Sequence, residues 1–86
     1  MNEASAKKLI RELAAAGLVV FTRHGALRAK ERGIPVDAVR AGLAQVLGVV
    51  AGERPNVWKA SIPGPFTVVV HIQNGVIVVT VYGGKK

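Results

Sequence analysis

The chain contains no cysteine, which excludes disulfides, thiolate metal sites and a thiol nucleophile together, and suits a reducing compartment. Aromatic residues are scarce: two Phe, one Trp and one Tyr among 86 residues, half of which are hydrophobic. The core must therefore be built mainly from Val, Ile, Leu and Ala. Acidic residues number five and histidines two, and Glu3, Glu12, Glu31, Asp37 and Glu53 are scattered over expected helix surfaces and a turn. A metal site or a paired-carboxylate mechanism is accordingly not expected. No P-loop, Rossmann or nucleophile-elbow pattern is present, so no cofactor is expected either. No apolar run approaches the roughly 20 residues of a membrane span. The stretch MNEASAKKLIRELAAAG lacks the apolar h-region and cleavage site of a signal peptide. Together these absences predict a soluble, cytoplasmic protein with no membrane partner.

What is abundant is positive charge. Twelve Lys and Arg against five Asp and Glu leave a formal charge of +7 and a sequence pI near 10.7, a balance that favours polyanions such as RNA, DNA, acidic protein segments or anionic membrane. The competing explanation is a basic surface that only aids solubility. At this length one domain, residues 1–86, is expected.

The strongest local signal is near the end, where FTVVVHIQNGVIVVTVY places two apolar runs around Gln73, Asn74 and Gly75. Asn-Gly predicts a two-residue turn, because both central positions take φ > 0. That register pairs Gln73 with Val76, Ile72 with Ile77, His71 with Val78, Val69 with Thr80 and Thr67 with Tyr82. Alternation then assigns Phe66, Val68, Val70, Ile72, Ile77, Val79 and Val81 to a core face. Thr67, Val69, His71, Gln73, Val76, Val78, Thr80 and Tyr82 fall on an open face.

Upstream, residues 3–16 read as a helix, with Ala6, Leu9, Ile10, Leu13 and Ala14 on its apolar side, Asn2 or Ser5 as cap and Gly17 as stop. Residues 18–22 (LVVFT) read as a short strand. A second helix begins near Thr22 or Arg23 and stops at Gly33. In it His24, Arg28 and Arg32 lie within about 80° of one another, forming a basic stripe. With Leu27 its one large apolar residue, this helix should lie on the surface, its stripe exposed or aimed at a groove. From Pro35 a third helix carries Val36, Val39, Leu43, Val46 and Leu47 as a core stripe and ends at Gly48. Residues 49–51 can open the next strand, a turn follows at 52–55, and residues 56–62 (NVWKASI) form another strand. There Trp58, Ala60 and Ile62 point inward and Lys59 outward. A turn at 63–65 leads into the hairpin, and Gly83-Gly84-Lys85-Lys86 reads as a flexible basic tail.

The polar residues left over suit one metal-free reaction. Attack of an RNA 2′-OH on the adjacent phosphate needs a proton acceptor, cations for the extra phosphorane charge and a donor for the leaving 5′-oxygen. His71 or His24 can serve as base or acid, Tyr82 as donor, and Lys59, Arg28, Arg32 or Lys85 as charge stabilisers. Arg23, Thr67, Thr80 and Lys86 complete the candidate RNA contacts. Each has a structural alternative: His71 as an outward strand residue, His24 as a cap, Tyr82 as cover for an apolar patch, Arg28 and Arg32 as helix solvation. Trp58 reads as core.

The segment LIRELAAAGLVVFTRHGALRAKERGIPVDAV, with its His-x3-Arg-x3-Arg-Gly-Ile helix, and the terminal hairpin ending in VTVY resemble small bacterial toxins of the RelE/ParE superfamily. The likeness extends to the uncharacterised relatives that share this helix pattern and to the MqsR type. The resemblance implies an α+β fold with about three helices on one face of a small, mostly antiparallel twisted sheet, in the order α-β-α-α-β-β-β. It also implies a metal-independent endoribonuclease, a hydrolase that cuts mRNA and is held inactive by a cognate antitoxin, here expected to be acidic. Working residues on the open sheet face and C-terminal strand would match Lys59, Tyr82 and Lys85, with Arg28, Arg32 and His24 from the helix pattern. The glutamine of the MqsR type has no counterpart, Val69 standing in its place. Relatives that act on gyrase or only bind keep two alternatives open: a non-catalytic nucleic-acid or protein-binding module, and a toxin with a protein target. An exposed first or last strand could also pair with a second copy or an antitoxin segment.

Overall fold

The Asn2 side chain accepts a hydrogen bond from the Ser5 N–H at 2.8 Å, satisfying one of the donors left free where a helix begins. In the computed structural model, which describes residues 2–64 and 66–82, this cap starts helix α1 (Glu3–Ala15). Then follow strand β1 (Val19–Phe21), helices α2 (Arg23–Glu31) and α3 (Val36–Ala44), and strands β2 (Gly48–Ala51), β3 (Val57–Ile62), β4 (Phe66–Ile72) and β5 (Val76–Tyr82). The five strands form one sheet ordered β1-β5-β4-β3-β2. Only the β1–β5 pair is parallel. The class is therefore α+β, three helices packed with a mostly antiparallel sheet. The expected order holds, with β2 emerging as a separate edge strand. Lys85 and Lys86, together with Pro65, lie outside the described residues.

One face of the sheet carries the core. Val19, Val49, Trp58, Ala60, Ile62, Val68, Val70, Val76, Val78 and Val81 are buried there against Ala6 and Ile10 of α1, Ala29 of α2, and Val39 and Leu43 of α3. Val and Ala dominate, as the shortage of aromatics requires. Trp58 is inward and 6% exposed, and its indole N–H finds no acceptor among the described residues. No helix of the described residues is long and apolar enough to cross a membrane.

Two expectations need correction. Ile72 pairs with Val76, not with Ile77, so the hairpin loop has three residues, Gln73 to Gly75. Asn74 has φ +58° and Gly75 φ +155°, and the Gln73 N–H donates to the Gly75 carbonyl. Val79 then forms a bulge, after which Thr80 pairs with Val69 and Tyr82 with Thr67. Between loop and bulge the faces are exchanged relative to expectation. Val76 and Val78 are fully buried, whereas Ile77 and Val79 are half-buried on the open side. The reason is β1: its inward Val19 and Phe21 pair with Val76 and Val78, so β5 must present those two residues to the same side.

The third helix also ends sooner than its stripe suggested. It stops at Ala44, and the Leu47 N–H donates to the Ser61 carbonyl at 2.8 Å. Pairing with β3 has already begun at Leu47, whose side chain is 60% exposed, and Val36 at the first residue of α3 is exposed too, so the core stripe is Val39, Leu43 and Val46 without its two ends. Gly48 is thus the first residue of β2, not a helix stop.

Candidate functional site

The strand registers lay out the open face in rows. Tyr82, Thr67, Ser61 and Gly48 form one; Thr80, Val69, Lys59 and Val50 the next; Val20, Ile77, His71 and Val57 the third. Lys59 and His71 are diagonal neighbours on adjacent strands, a relation that sets the two residues about 7–8 Å apart with their Cβ atoms somewhat closer. Both are half-buried beside Val50, Val57 and Val69 in the register, and among the described residues neither side chain makes a hydrogen bond or ion pair. The bulge returns Thr80 and Tyr82 to this face. Thus the side chains assigned outward around Lys59, His71, Thr80 and Tyr82 do share one surface.

That surface is concave. A depression of about 470 Å³ is lined by Lys59, His71, Thr80 and Tyr82, floored by Val57, Val69 and Val79, and walled by Gly52, Glu53 and Arg54. Its volume lies in the ~300–1,000 Å³ range of ligand sites. The wall is the β2–β3 loop, closed by the Gly52 N–H to the Val57 carbonyl at 2.8 Å and the Val57 N–H to the Arg54 carbonyl at 3.1 Å.

A second depression, about 240 Å³, lies between α2 and the outer edge of β5. It is lined by His24, Arg28 and Arg32 on the helix and Thr80, Val81 and Tyr82 on the strand. It exists because β1 pairs with β5 only over Val76 to Val78, leaving the rest of that edge to the helix. The Thr22 hydroxyl holds the arrangement: it accepts from the Gly25 N–H at 2.9 Å, capping α2, and donates to the Val78 carbonyl at 3.2 Å, at the bulge. Gly25 lets the helix approach, since a Cβ there would sit 2.3 Å from the Val78 oxygen. The stripe is internally ordered. Arg28 Nε donates to His24 Nε2 at 3.4 Å, and Arg28 Nη1 lies 2.9 Å from Glu31 Oε1.

Thr80 and Tyr82 line both depressions, which makes them the ridge joining the Lys59–His71 basin to the His24–Arg28–Arg32 stripe. The two histidines are not together: each occupies its own depression. Thr67 lies on the open face opposite Tyr82 but lines neither depression. Arg23 is exposed at the start of α2, also outside both. Glu53 and Arg54 were not anticipated. Their signal was the hairpin turn between two strands, which places the loop at an end of the sheet, although only the register shows that it folds toward His71. Among the described residues no group of three or more His, Cys, Asp or Glu could hold a metal ion. Comparison of the chain with family models, curated proteins and solved structures gives no match.

Proposed function

We propose that the chain is a toxin-like, metal-independent endoribonuclease of the RelE/ParE type, with the open sheet face as its active site. The observation that carries this reading is the shared ridge, Thr80 and Tyr82, between a basin holding Lys59 and His71 and a helix stripe of His24, Arg28 and Arg32. An RNA strand crossing the ridge meets cations on both sides. Phosphates contribute most of such binding, and the formal charge of +7 adds to it. In the basin, His71 exchanges a proton with the reacting oxygens, Lys59 stabilises the phosphorane and Tyr82 donates a hydrogen bond at the leaving or non-bridging oxygen. Arg28 and Arg32 position the neighbouring phosphate. Arg23 and Thr67 serve as peripheral contacts, and Lys85 and Lys86 add charge for RNA binding. The likeness in the His-x3-Arg-x3-Arg-Gly-Ile helix supports mRNA as substrate and an acidic antitoxin as partner in the cytoplasm. The last strand, β5, lies between β1 and β4 and offers no free edge, so an antitoxin strand or a second copy would add at β1 or β2, whose outer edges are unpaired among the described residues.

The test is incubation of the purified protein with long single-stranded RNA in EDTA, beside Lys59→Ala and Tyr82→Phe. Cutting that leaves 2′,3′-cyclic phosphate and 5′-hydroxyl ends, and that both changes slow, is the expected result. Intact RNA, or cutting indifferent to both changes, refutes it. A second reading, a module that binds RNA without cutting it, is favoured by one feature: among the described residues no hydrogen bond joins Lys59, His71 and Tyr82. Salt-dependent binding with no turnover would establish that reading instead.

A further inference from the structure

We infer that Glu53 is the general base of this site and His71 its general acid, an assignment that rests on the ribonuclease reading above and completes its proton transfers. Cleavage by 2′-OH attack needs an acceptor on one side of the phosphorus and a donor on the other. Among the residues lining the basin, Lys59 and Arg54 carry donors and no acceptor, and Tyr82 and Thr80 offer hydroxyls that serve as donors. Glu53 and His71 are the lining side chains whose chemistry suits general acid–base transfer. A carboxylate is an acceptor only, whereas an imidazolium can donate, so the division of labour follows from side-chain type.

The other four carboxylates have other surroundings. Glu31 is tied to Arg28 at 2.9 Å and Asp37 to Arg40 at 3.1 Å. Glu3 sits in the first turn of α1, where it complements the helix dipole, and Glu12 is exposed farther along the same helix. Glu53 alone among the described carboxylates lines the basin, and among the described residues no ion pair within 4 Å engages it. Glu53 is exposed, and the backbone that carries it is held in place. The loop bearing it is closed by the two hydrogen bonds between Gly52, Arg54 and Val57 and anchored by the Ile72 N–H to the Asn56 carbonyl at 2.9 Å. Gly52 is needed for that closure, since a Cβ would lie 2.7 Å from the Val57 oxygen. The anchor ties the loop to β4 one residue from His71, so base and acid are carried by elements hydrogen-bonded to each other.

The step balances as follows. Glu53 removes the 2′-hydroxyl proton as the 2′-oxygen bonds to phosphorus. The bond from phosphorus to the 5′-oxygen breaks, and His71 gives its proton to that oxygen. The products are a 2′,3′-cyclic phosphate and a 5′-hydroxyl; exchange with water restores both residues. Lys59 and Arg54 face the developing charge, from β3 and the loop respectively.

The experiment compares the full chain with Glu53→Gln and Glu53→Asp on a short single-stranded RNA in EDTA, following cleavage rate against pH. Binding is read in parallel on the same oligonucleotide with 2′-deoxyribose at the scissile position. Glu53→Gln should cleave about 10²–10⁴-fold more slowly, lose the acidic limb of the rate profile, and bind the uncleavable oligonucleotide at least as tightly as the wild type. Glu53→Asp should recover part of the rate. Cleavage by Glu53→Gln within about threefold of wild type, or a loss of binding that accounts for its lost rate, overturns the assignment while leaving the ribonuclease reading intact. A wild-type chain that cuts nothing refutes the ribonuclease reading and the assignment with it.

Discussion

Replacing Gly25 by alanine sets two effects against each other, and the structure decides which one wins. Alanine in a helix is better than glycine by up to about 1 kcal/mol, so helix propensity alone predicts a stabler protein. The added methyl, however, would lie 2.3 Å from the Val78 oxygen and 3.0 Å from its carbon. Both are backbone atoms at the β5 bulge, with no rotamer through which to move aside. The helix must retreat instead, by at least ~0.7 Å, in an interior packed as densely as an organic crystal. Overpacking of this kind costs about 1–3 kcal/mol. The retreat also stretches the Thr22 cap to the Gly25 N–H, a contact type worth about 1 kcal/mol. Setting the propensity gain against these losses leaves a destabilisation of about 2 kcal/mol. For a domain of this size that lowers Tm by about 8–16 °C. Urea unfolding followed by circular dichroism measures it, with Gly48→Ala as control, since nothing lies within 4 Å of a Cβ there and its effect should stay within about 0.5 kcal/mol. A Gly25→Ala protein as stable as wild type, or stabler, would show that α2 does not seat on the bulge as described.

Three further outcomes are expected. Thr22→Val, which removes both the α2 cap and the link to the Val78 carbonyl, should cost about 1–2 kcal/mol in urea unfolding, while Thr22→Ser should restore most of it. Glu31→Gln releases Arg28 from its 2.9 Å ion pair; heparin retention should rise and the salt dependence of RNA binding steepen by about one phosphate contact, with little change in thermal stability because the pair is exposed. Trp58→Phe removes a buried N–H that lacks an acceptor among the described residues, offsetting the lost ring area. It should cost less than about 1.5 kcal/mol, against about 3–5 kcal/mol for Trp58→Ala.

The helices and β3 were legible because their signals are local. Asn2 caps where a capping residue should, Thr22 likewise, and Gly17 and Gly33 take φ of +79° and +71° just past the helix ends. Trp58, Ala60 and Ile62 alternate inward as period two requires, which put Lys59 outside correctly. What was not legible depends on partners distant in the chain. The end of α3 is set by Leu47 pairing with Ser61, a contact that overrides an apolar spacing fit for another helical turn. Strand β2, only four residues long, is legible at residues 49–51, but its start at Gly48 is not, because that is set by the pairing of Gly48 with Ser61. Glu53 reads as an ordinary turn carboxylate until the registers of β2, β3 and β4 bring its loop over the basin.

The hairpin shows why a site can be read correctly from a register that is partly wrong. The loop takes in Gln73, one residue more than an Asn-Gly turn needs, which by itself would exchange the two faces of β5. The bulge at Val79 takes up one residue in turn, and the two displacements cancel. Beyond the bulge Thr80 and Tyr82 therefore stand where a bulge-free two-residue hairpin would have put them, and only Val76 to Val79 are exchanged. Those four are a Val-Ile-Val-Val run, so composition carries no hint of which face each belongs to. The bulge also sets the Val78 carbonyl where Thr22 and Gly25 meet it, and this contact seats the basic stripe of α2 against the ridge. Loop, bulge and Gly25 are thus a single device: a change that straightened β5 would leave Lys59 and His71 in place while moving α2, separating the basin from its stripe.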